Sequence, residues 1–393
     1  MTIINLFHLG KLLVAGGISD PSIDDIRGSE IIDLSDPNQK CDLMEDIQLS
    51  FGVGGLVMHN NIKYSKPIFC GGISNIDDNL KLEQDCYVVR ESDSKYHSTM
   101  SQGRSFASSV VLSHGELWIT GGIGLDSSNA TQILKTTEKI YVNQDFSYLG
   151  PELEQPLAGH CMLLLDEVDD VLIVGGKTSD YITTGNAYYR NYKNPEVTSV
   201  GSLNFSRMDH SCGLTYKKDG TKVVVVAGGS QMTGPNTFKT LDSVEILQWI
   251  NEELQEWKQG IKKIFLIFRI HIKSNIFQFQ LGPLLPIPLR SASMVTASNN
   301  NLILIGGYRQ DNGWNDDLFE LNIETMEWHK MEQSLQAGRA GHISFFIPDD
   351  WTSCSTLTTT TSTTPITASS ILNLSNIWVE ILLTLFVLFV TFI

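Results

Sequence analysis

Short apolar runs separated by polar segments dominate this chain, and six of these runs end in a pair of glycines. One complete unit begins at Leu302, where four apolar residues lead into Gly306; a polar loop and a second apolar run over residues 318–321 follow before Trp328. Short apolar runs bounded by turn residues are typical of buried β-strands. The six pairs are Gly16 with Gly17, Gly71 with Gly72, Gly121 with Gly122, Gly175 with Gly176, Gly228 with Gly229, and Gly306 with Gly307.

The spacing of these pairs predicts a repeat protein. The pairs follow one another at nearly even intervals, except that the interval from Gly228 to Gly306 is clearly longer than the others. The order of strand, double glycine, loop, strand and aromatic residue resembles the kelch repeat, whose period is about 50 residues. The resemblance covers residues 4–347 and implies an all-β fold, a six-bladed kelch-type β-propeller of four-stranded antiparallel blades over residues 1–350. Glycine also suits strand ends that pack near a crowded axis.

The third strand of each blade follows its glycine pair, and the chain ends should meet in one blade. The predicted third strands are residues 30–34, 86–90, 138–142, 186–192, 243–247 and 318–321. Residues 341–347 have the character of an innermost strand but no glycine pair after them, so we expect them to complete the first blade and close the ring. Residues 3–7 compete for that place, which leaves a truncated seventh blade open.

Charge and composition exclude some partners. The chain has 393 residues, with 44 acidic and 28 basic side chains and a net charge of −16. This excess repels phosphate backbones, and we expect no nucleic-acid partner. No phosphate loop, zinc helix or nucleophile elbow is present, so we also expect no cofactor.

The C-terminal region predicts attachment to a membrane. Residues 351–370 form a segment in which Thr and Ser predominate, a composition typical of a glycosylated stalk. Residues 371–393 form a hydrophobic tail that ends without a basic residue. A lipid-anchor signal and a transmembrane helix both fit this tail.

The N-terminus, the cysteines and the sequons bear on the compartment. No secretory signal begins the chain, and we expect its N-terminus to be incomplete. Cys70 and Cys86 should face each other on neighbouring strands and form a disulfide. Cys161 and Cys212 are interpreted as small buried residues, and a bond between Cys41 and Cys354 is left open. Sequons stand at Asn129, Asn204 and Asn373.

Catalytic residues are not evident. Some kelch-type propellers are copper radical oxidases, but His160, His210 and His342 recur at one repeat phase, which indicates a structural position. We therefore expect a non-catalytic interaction module at the cell surface that binds a protein or a glycan. A galactose-oxidase-like enzyme and a cytosolic kelch adaptor or actin-binding protein remain the alternatives.

Ligand contact is expected on one face of the propeller. Strands alternate in direction, so the loops after the glycine pairs and the segments before the innermost strands emerge together. The alternative for the arginines is that they brace the blades through buried hydrogen bonds. The candidates are Asp24, Asp25, Asp77, Asp78, Asp126, Asp180, Asp311, Asp316 and Asp317 in the loops, and Arg104, Arg207, Arg290 and Arg339 before the strands.

Residues 259–280 do not fit the repeat. They contain no acidic residue and are rich in Ile, Phe and Lys, unlike the rest of this acidic chain. Removing this segment restores the repeat, because Arg290 then follows Trp257 at the spacing that separates Arg339 from Trp328. We interpret the segment as an intron retained in the gene model, with a projecting loop or hairpin as the alternative.

Overall fold

The apolar runs form the second strand of every blade in the computed structural model. The structure describes residues 10–19, 28–36, 39–41, 49–57, 66–76, 79–89, 94–141, 146–166, 169–178, 182–191, 196–234, 237–249, 279–311, 313–348 and 354–356. Within these residues every regular element is a strand. The all-β class is confirmed.

The strands follow one another blade by blade. Blade 1 begins with β1 (Lys11–Ala15), β2 (Ile18–Ser19), β3 (Glu30–Asp33) and β4 (Gln39–Cys41). Blade 2 has β5 (Val53–Val57), β6 (Lys66–Cys70), β7 (Ile73–Ile76), β8 (Asn79–Leu82), β9 (Asp85–Val89) and β10 (Ser94–Thr99). Blade 3 has β11 (Ser108–Val111), β12 (Glu116–Thr120), β13 (Ile123–Leu125), β14 (Thr131–Ile133), β15 (Thr137–Tyr141) and β16 (Phe146–Leu149).

The second half of the ring repeats this order. Blade 4 has β17 (Cys161–Leu164), β18 (Asp170–Val174), β19 (Asn186–Asn191) and β20 (Val197–Ser202). Blade 5 has β21 (Ser211–Tyr216), β22 (Lys222–Ala227), β23 (Ser230–Gly234), β24 (Thr237–Thr240), β25 (Val244–Trp249) and β26 (Gln280–Leu281). Blade 6 has β27 (Ser293–Thr296), β28 (Leu302–Ile305), β29 (Tyr308–Arg309), β30 (Gly313–Trp314), β31 (Asp317–Asn322) and β32 (Glu327–Ser334), after which β33 (Arg339–Ala340), β34 (Ile343–Ile347) and β35 (Cys354–Thr356) return to blade 1.

Each blade is an antiparallel sheet whose innermost strand lines the axis. From the axis outward, blade 3 runs β11, β12, β15, β16, and blades 2, 4, 5 and 6 repeat this order. In blade 1, β34 is innermost and pairs with β1 from Lys11 opposite Ile347 to Ala15 opposite Ile343. The expectation that residues 341–347 close the ring is confirmed, and six blades fill it.

The core lies between blades rather than inside any one of them. In β1, Leu12 and Val14 pack toward blade 6, while Leu13 and Ala15 pack toward blade 2. Each of the other four contacts between neighbouring blades has its own apolar cluster. A second strand is therefore buried on both sides, which explains why it is a continuous apolar run rather than an alternating one.

The described residues contain two disulfides. Cys70 and Cys86 are opposite each other on β6 and β9 and are bonded, as predicted, with Cα atoms 4.1 Å apart. Cys161 and Cys212 are also bonded, with Cα atoms 6.3 Å apart. The interpretation of this second pair as unbonded residues was wrong, because the equivalent phase in consecutive repeats places them on adjacent innermost strands, β17 and β21.

The anomalous segment and the C-terminal tail lie largely outside the described residues. Phe279 and Gln280, at the end of the segment, belong to blade 5: Phe279 is buried and Gln280 pairs with Ile246. The intron hypothesis stays a prediction, which sequencing of the transcript would test. No helix among the described residues is long and apolar enough to cross a membrane. The stalk and tail beyond residue 356 are not among them.

Candidate functional site: the loop face and the axial ring

One face of the propeller, named here the loop face, carries both kinds of loop that the repeat predicts. The segment before each innermost strand pairs with the residue just after the glycine pair of the same blade. Examples are Ser105 with Ile123, and Met208 with Ser230. The strand β34 ends and the strand β1 begins at the opposite face, so the chain leaves the innermost position on the side away from these loops.

The second glycine of each pair links its blade to the next one. The amide of Gly307, for example, donates to the carbonyl of Arg339 at 2.8 Å. Gly307 has a φ of 101°, and a Cβ there would lie 2.9 Å from the Cβ of Ala292, so only glycine suits the site. The same bond occurs six times, and its acceptors define one equivalent position in all blades: Leu49, Arg104, Leu157, Arg207, Leu289 and Arg339.

Three of these six positions hold a buried charged brace, in blades 1, 3 and 5. In blade 3 the Arg104 guanidinium contacts Glu138 at 2.7 Å and donates to the carbonyls of Gly121 and Thr136. Arg207 does the same with Glu245 at 2.8 Å, and Arg339 with Glu30 at 3.0 Å. Burial lowers the pKa of each arginine, and the partner glutamate opposes that shift. These three side chains are almost wholly buried, as the bracing alternative requires.

The other three positions, in blades 2, 4 and 6, hold leucine instead. Where the braced blades have glutamate on the third strand, these blades have an aromatic residue. Leu157 and Tyr188 lie in one apolar cluster, and Leu289 and Phe319 lie in another. The full set of pairs in the unbraced blades is Leu49 with Tyr87, Leu157 with Tyr188, and Leu289 with Phe319. The two members change together around the ring.

Arg290 is not equivalent to the other three arginines. It follows Leu289, the true counterpart of Arg339, and its backbone pairs with Tyr308. Its guanidinium lies over the ring of Phe238 at 4.4 Å and near that of Tyr308 at 5.0 Å. Trp314 meets Tyr308 edge to face at 5.1 Å. Arg290 is therefore held in an aromatic corner between the loop hairpins of blades 5 and 6.

A closed ring of six backbone hydrogen bonds, the axial ring, surrounds the axis on the loop face. One residue per blade donates its amide to the carbonyl of its neighbour at 2.7 to 2.9 Å. All six have a φ between 53° and 67°. The ring contains one member from each of the six blades, and each member is bonded on both sides. In ring order its members are Phe51, Gly341, Ser291, Asp209, Gly159 and Phe106.

The side chains of the axial ring divide it into an aromatic part and a polar part. Phe51 and Phe106 stack with ring centroids 4.2 Å apart, and Phe51 occupies the space that a side chain at Gly341 would need. Across the ring, Asp209 occupies the space left by Gly159. Loss of hydration raises the pKa of Asp209, and the charges of Arg290 and Lys177 oppose this shift.

The three recurrent histidines support the scaffold. Each follows a member of the axial ring and packs against the first glycine of the preceding blade. The Nε2 atom of His160 lies 2.8 Å from the Thr120 hydroxyl, and that of His342 lies 2.8 Å from the Ser293 hydroxyl. Burial lowers the pKa of His160 to about 4 and those of His210 and His342 to about 3. Among the described residues, no three His, Cys, Asp or Glu side chains are placed to hold a metal ion.

Four of the acidic loop candidates lie among the described residues, Asp126 in blade 3 and Asp311, Asp316 and Asp317 in blade 6. The Asp126 carboxylate accepts from the amides of Ser128 and Ala130, which lowers its pKa and orders the turn. Asp317 pairs with Lys330 at 2.6 Å, and Asp311 and Asp316 are exposed. Asp24, Asp25, Asp77, Asp78 and Asp180 lie outside the described residues.

Exposed apolar side chains are a feature that the sequence analysis missed. The large ones on the loop face are Leu125, Ile182, Phe205 and Leu284, and Ile182 is 58% exposed. On the opposite face, Tyr216 at the end of β21 and Phe146 at the start of β16 are exposed, and Leu149 and Leu281 are exposed on the outermost strands of blades 3 and 5. A pattern of residue types could not reveal the exposure on the loop face, because it depends on which loop residues stand clear of the hairpins.

The two described sequons differ in their surroundings. Asn129 is exposed in the turn between β13 and β14. The side-chain amide of Asn204 donates to the Glu245 carboxylate at 2.9 Å and to the Phe279 carbonyl at 3.1 Å. A glycan on Asn204 would displace one of these two hydrogens.

Comparison with solved structures supports the fold. The structure reported as "Structure of YjhT" is 12% identical and aligns with a TM-score of 0.54 over 79% of this chain and 99% of that chain. This likeness supports the six-bladed propeller and carries no further meaning for function. No known family model matches the chain, so the kelch assignment stays a resemblance. No curated protein matches it either.

Proposed function

We propose that this protein is a non-catalytic binding module displayed at a membrane surface, which takes a protein or glycan ligand on the loop face. The observation that carries the proposal is the exposure of Leu125, Ile182, Phe205 and Leu284 on that face. Exposed apolar side chains mark an interaction surface when they form a patch, and these four come from loops of the consecutive blades 3 to 6. They favour a protein among the two ligand classes.

The orientation of the chain supports this proposal. The innermost strand β34 ends on the face opposite the loops, and the stalk follows it in sequence. A propeller attached through that stalk would present the loop face away from the membrane. The disulfides Cys70–Cys86 and Cys161–Cys212 suit an oxidising exterior.

The test is capture of surface partners by the full chain on cells, measured by proximity labelling. Ile182→Asp and Leu125→Asp should each reduce labelling of the partner at least tenfold, because a buried contact would acquire an unpaired charge. Tyr216→Asp, on the opposite face, is the matched control and should leave labelling unchanged. Unchanged labelling in both loop variants at equal surface abundance would refute the proposal.

Attachment through the hydrophobic tail has its own test. A lipid anchor replaces a removed tail, so a phosphatidylinositol-specific lipase should release the propeller from cells. Retention on the membrane, with peptides of residues 377–393 recovered by mass spectrometry, would show a transmembrane helix. Recovery of the protein from the cytosol would contradict both.

An enzyme is the second candidate, and Asp209 is the observation that favours it. A carboxyl group in the axial ring, whose pKa is raised by burial against the opposing charges of Arg290 and Lys177, could exchange protons with a substrate. Elemental analysis of the purified protein is the first discriminator, because stoichiometric copper would favour an oxidase. A loop-face ligand that is released chemically unchanged would favour the binding module.

A further inference from the structure

Blade 1 receives the C-terminal part of the chain at two separate places. β34 forms its innermost strand, and β35 then pairs antiparallel with β4. β4 follows β3, the third strand of the blade, after a short turn. The C-terminal part of the chain therefore returns from the axis to the outer edge of the same blade, and residues 354–356, which fall within the predicted stalk, pair with that blade.

The register of this second pairing places two cysteines opposite each other. Cys354 is the partner of Cys41, Ser355 of Lys40, and Thr356 of Gln39. The same relation holds for Cys70 and Cys86, which are opposite each other on antiparallel strands of blade 2 and are bonded. Direct antiparallel opposition of two cysteines is thus compatible with a disulfide in this protein.

Cysteine number supports the same conclusion. The chain has six cysteines, and four of them form the bonds Cys70–Cys86 and Cys161–Cys212. Cys41 and Cys354 are the two that these bonds leave over. A compartment that oxidises the first four would also oxidise two thiols held on adjacent backbone positions.

We propose that Cys41 and Cys354 form a third disulfide that locks the ring of blades. The bond would arise by thiol–disulfide exchange with an oxidised dithiol protein: one S–S bond forms here, one breaks in the oxidant, and the two thiol protons pass to its sulfurs. The two cysteines are oxidised and the donor is reduced.

This third disulfide, named here the lock, would attach the stalk covalently to blade 1 at Cys354. Without it, the C-terminal end is held by the short pairing of β35 with β4, by the pairing of β34 with β1 and by the Gly341 bonds of the axial ring. A pull on the stalk that separates the three-residue strand β35 from β4 would then act on the innermost strand. With the lock, the pull is transferred at Cys354 to the outer edge of blade 1, and nearly the whole propeller lies within one covalent loop, which restricts the unfolded chain.

Peptide mapping of the full-length protein without reduction tests the bond. The tryptic peptide that begins at Cys41 should be recovered linked to the one that begins at Ala340, and reduction should separate them. A thiol titration of the denatured, unreduced protein should find no free thiol. Recovery of both peptides with alkylated free cysteines would overturn the lock.

The variant Cys354→Ser sharpens this test. It should expose one free thiol, at Cys41, and should unfold at a lower denaturant concentration than the wild type. The double variant Cys41→Ser/Cys354→Ser should unfold at the same concentration as Cys354→Ser but should have no free thiol. A single free thiol at a cysteine other than Cys41 in the Cys354→Ser protein would show a different pairing. Free Cys41 and Cys354 beside intact bonds at the other four cysteines would refute the lock alone, whereas six free thiols would also count against display outside the cell.

Discussion

Blades 1, 3 and 5 differ from blades 2, 4 and 6 at the position whose carbonyl accepts the hydrogen bond from the second glycine of the neighbouring blade. The braced blades bury an arginine against a glutamate, and the unbraced ones bury a leucine with an aromatic residue nearby. The glutamate of a braced blade also accepts from the backbone amide three residues before its arginine, as Glu138 does from Ser101 and Glu245 from Asn204. In blade 6 that position is Pro286, which has no amide hydrogen to donate.

This difference shows that the position accepts either a charged pair or an apolar pair. A buried ion pair keeps its stability only with supporting hydrogen bonds, and an apolar pair of similar volume can serve equally well. None of the six described pairs mixes the two kinds, so we expect a mixed pair to be destabilising. Two variants of blade 5 test this rule.

Loss of one brace partner should have the largest effect. Arg207→Leu leaves the Glu245 carboxylate buried without its guanidinium and removes the donors to the Gly228 and Ser243 carbonyls. We expect a loss of about 3 to 5 kcal/mol in the free energy of unfolding, measured by urea denaturation. A loss below about 1 kcal/mol would mean that the brace carries little of the stability.

Converting blade 5 to the unbraced type should recover much of that loss. Arg207→Leu with Glu245→Phe reproduces the Leu289 and Phe319 pair of blade 6. We expect the double variant to lie within about 2 kcal/mol of the wild type, since the Asn204 and Phe205 amides still lose their acceptor. Equal or greater destabilisation in the double variant would contradict the rule.

The histidines provide a smaller, pH-dependent effect that does not follow the alternation, because they belong to blades 1, 4 and 5. Their folded pKa values lie below the ordinary value, so unfolding takes up protons and their contribution is lost as pH falls below about 6.5. Each can add a slope of up to about 1.4 kcal/mol per pH unit. Asp209 and Glu30, whose pKa values are raised, act in the opposite direction.

A variant isolates the histidine contribution from those two carboxyl groups. His160→Gln keeps a polar group near the Thr120 hydroxyl and removes the titration. The free energy of unfolding of the wild type should therefore fall relative to that of the variant as pH decreases from 6.5 to 4. A difference that stays constant over this interval would show that His160 titrates alike in both states.

Removal of a sequon should change stability least of all, and its readout is the mass of the protein. Asn204 belongs to the brace of blade 5 through Glu245, whereas Asn129 stands in an open turn. We expect Asn129→Gln to lower the apparent mass by one glycan and Asn204→Gln to leave it unchanged. The reverse pattern would contradict the role given to Asn204.

Much of the scaffold follows from the sequence because its signals are local. The run before Gly306 and Gly307 predicts a strand and a tight turn whatever surrounds it, and residues 341–347 lack a glycine pair because β1 supplies the next strand. Arg290 was grouped with Arg104, Arg207 and Arg339 because each is an arginine shortly before an innermost strand, whereas the equivalent position is Leu289. Comparing Leu289 with Arg339 would have revealed the alternation.

The remaining features depend on contacts between distant repeats. The bond between Cys161 and Cys212 requires that the innermost strands of blades 4 and 5 be neighbours, which spacing alone does not measure. The axial ring joins residues as different as Phe51, Asp209 and Gly341, so no residue type marks it. The exposure of Ile182 depends on how its loop packs.

The braces are expected to maintain the scaffold while the loop face binds. One experiment separates these roles by measuring urea stability and surface-partner labelling on the same two variants, Ile182→Asp and Arg207→Leu with Glu245→Phe. We expect Ile182→Asp to lose labelling at least tenfold with stability within about 0.5 kcal/mol of the wild type. We expect the brace variant to be less stable but to keep full labelling per folded molecule. Labelling that survives Ile182→Asp, or falls equally in both variants, would contradict this separation of roles.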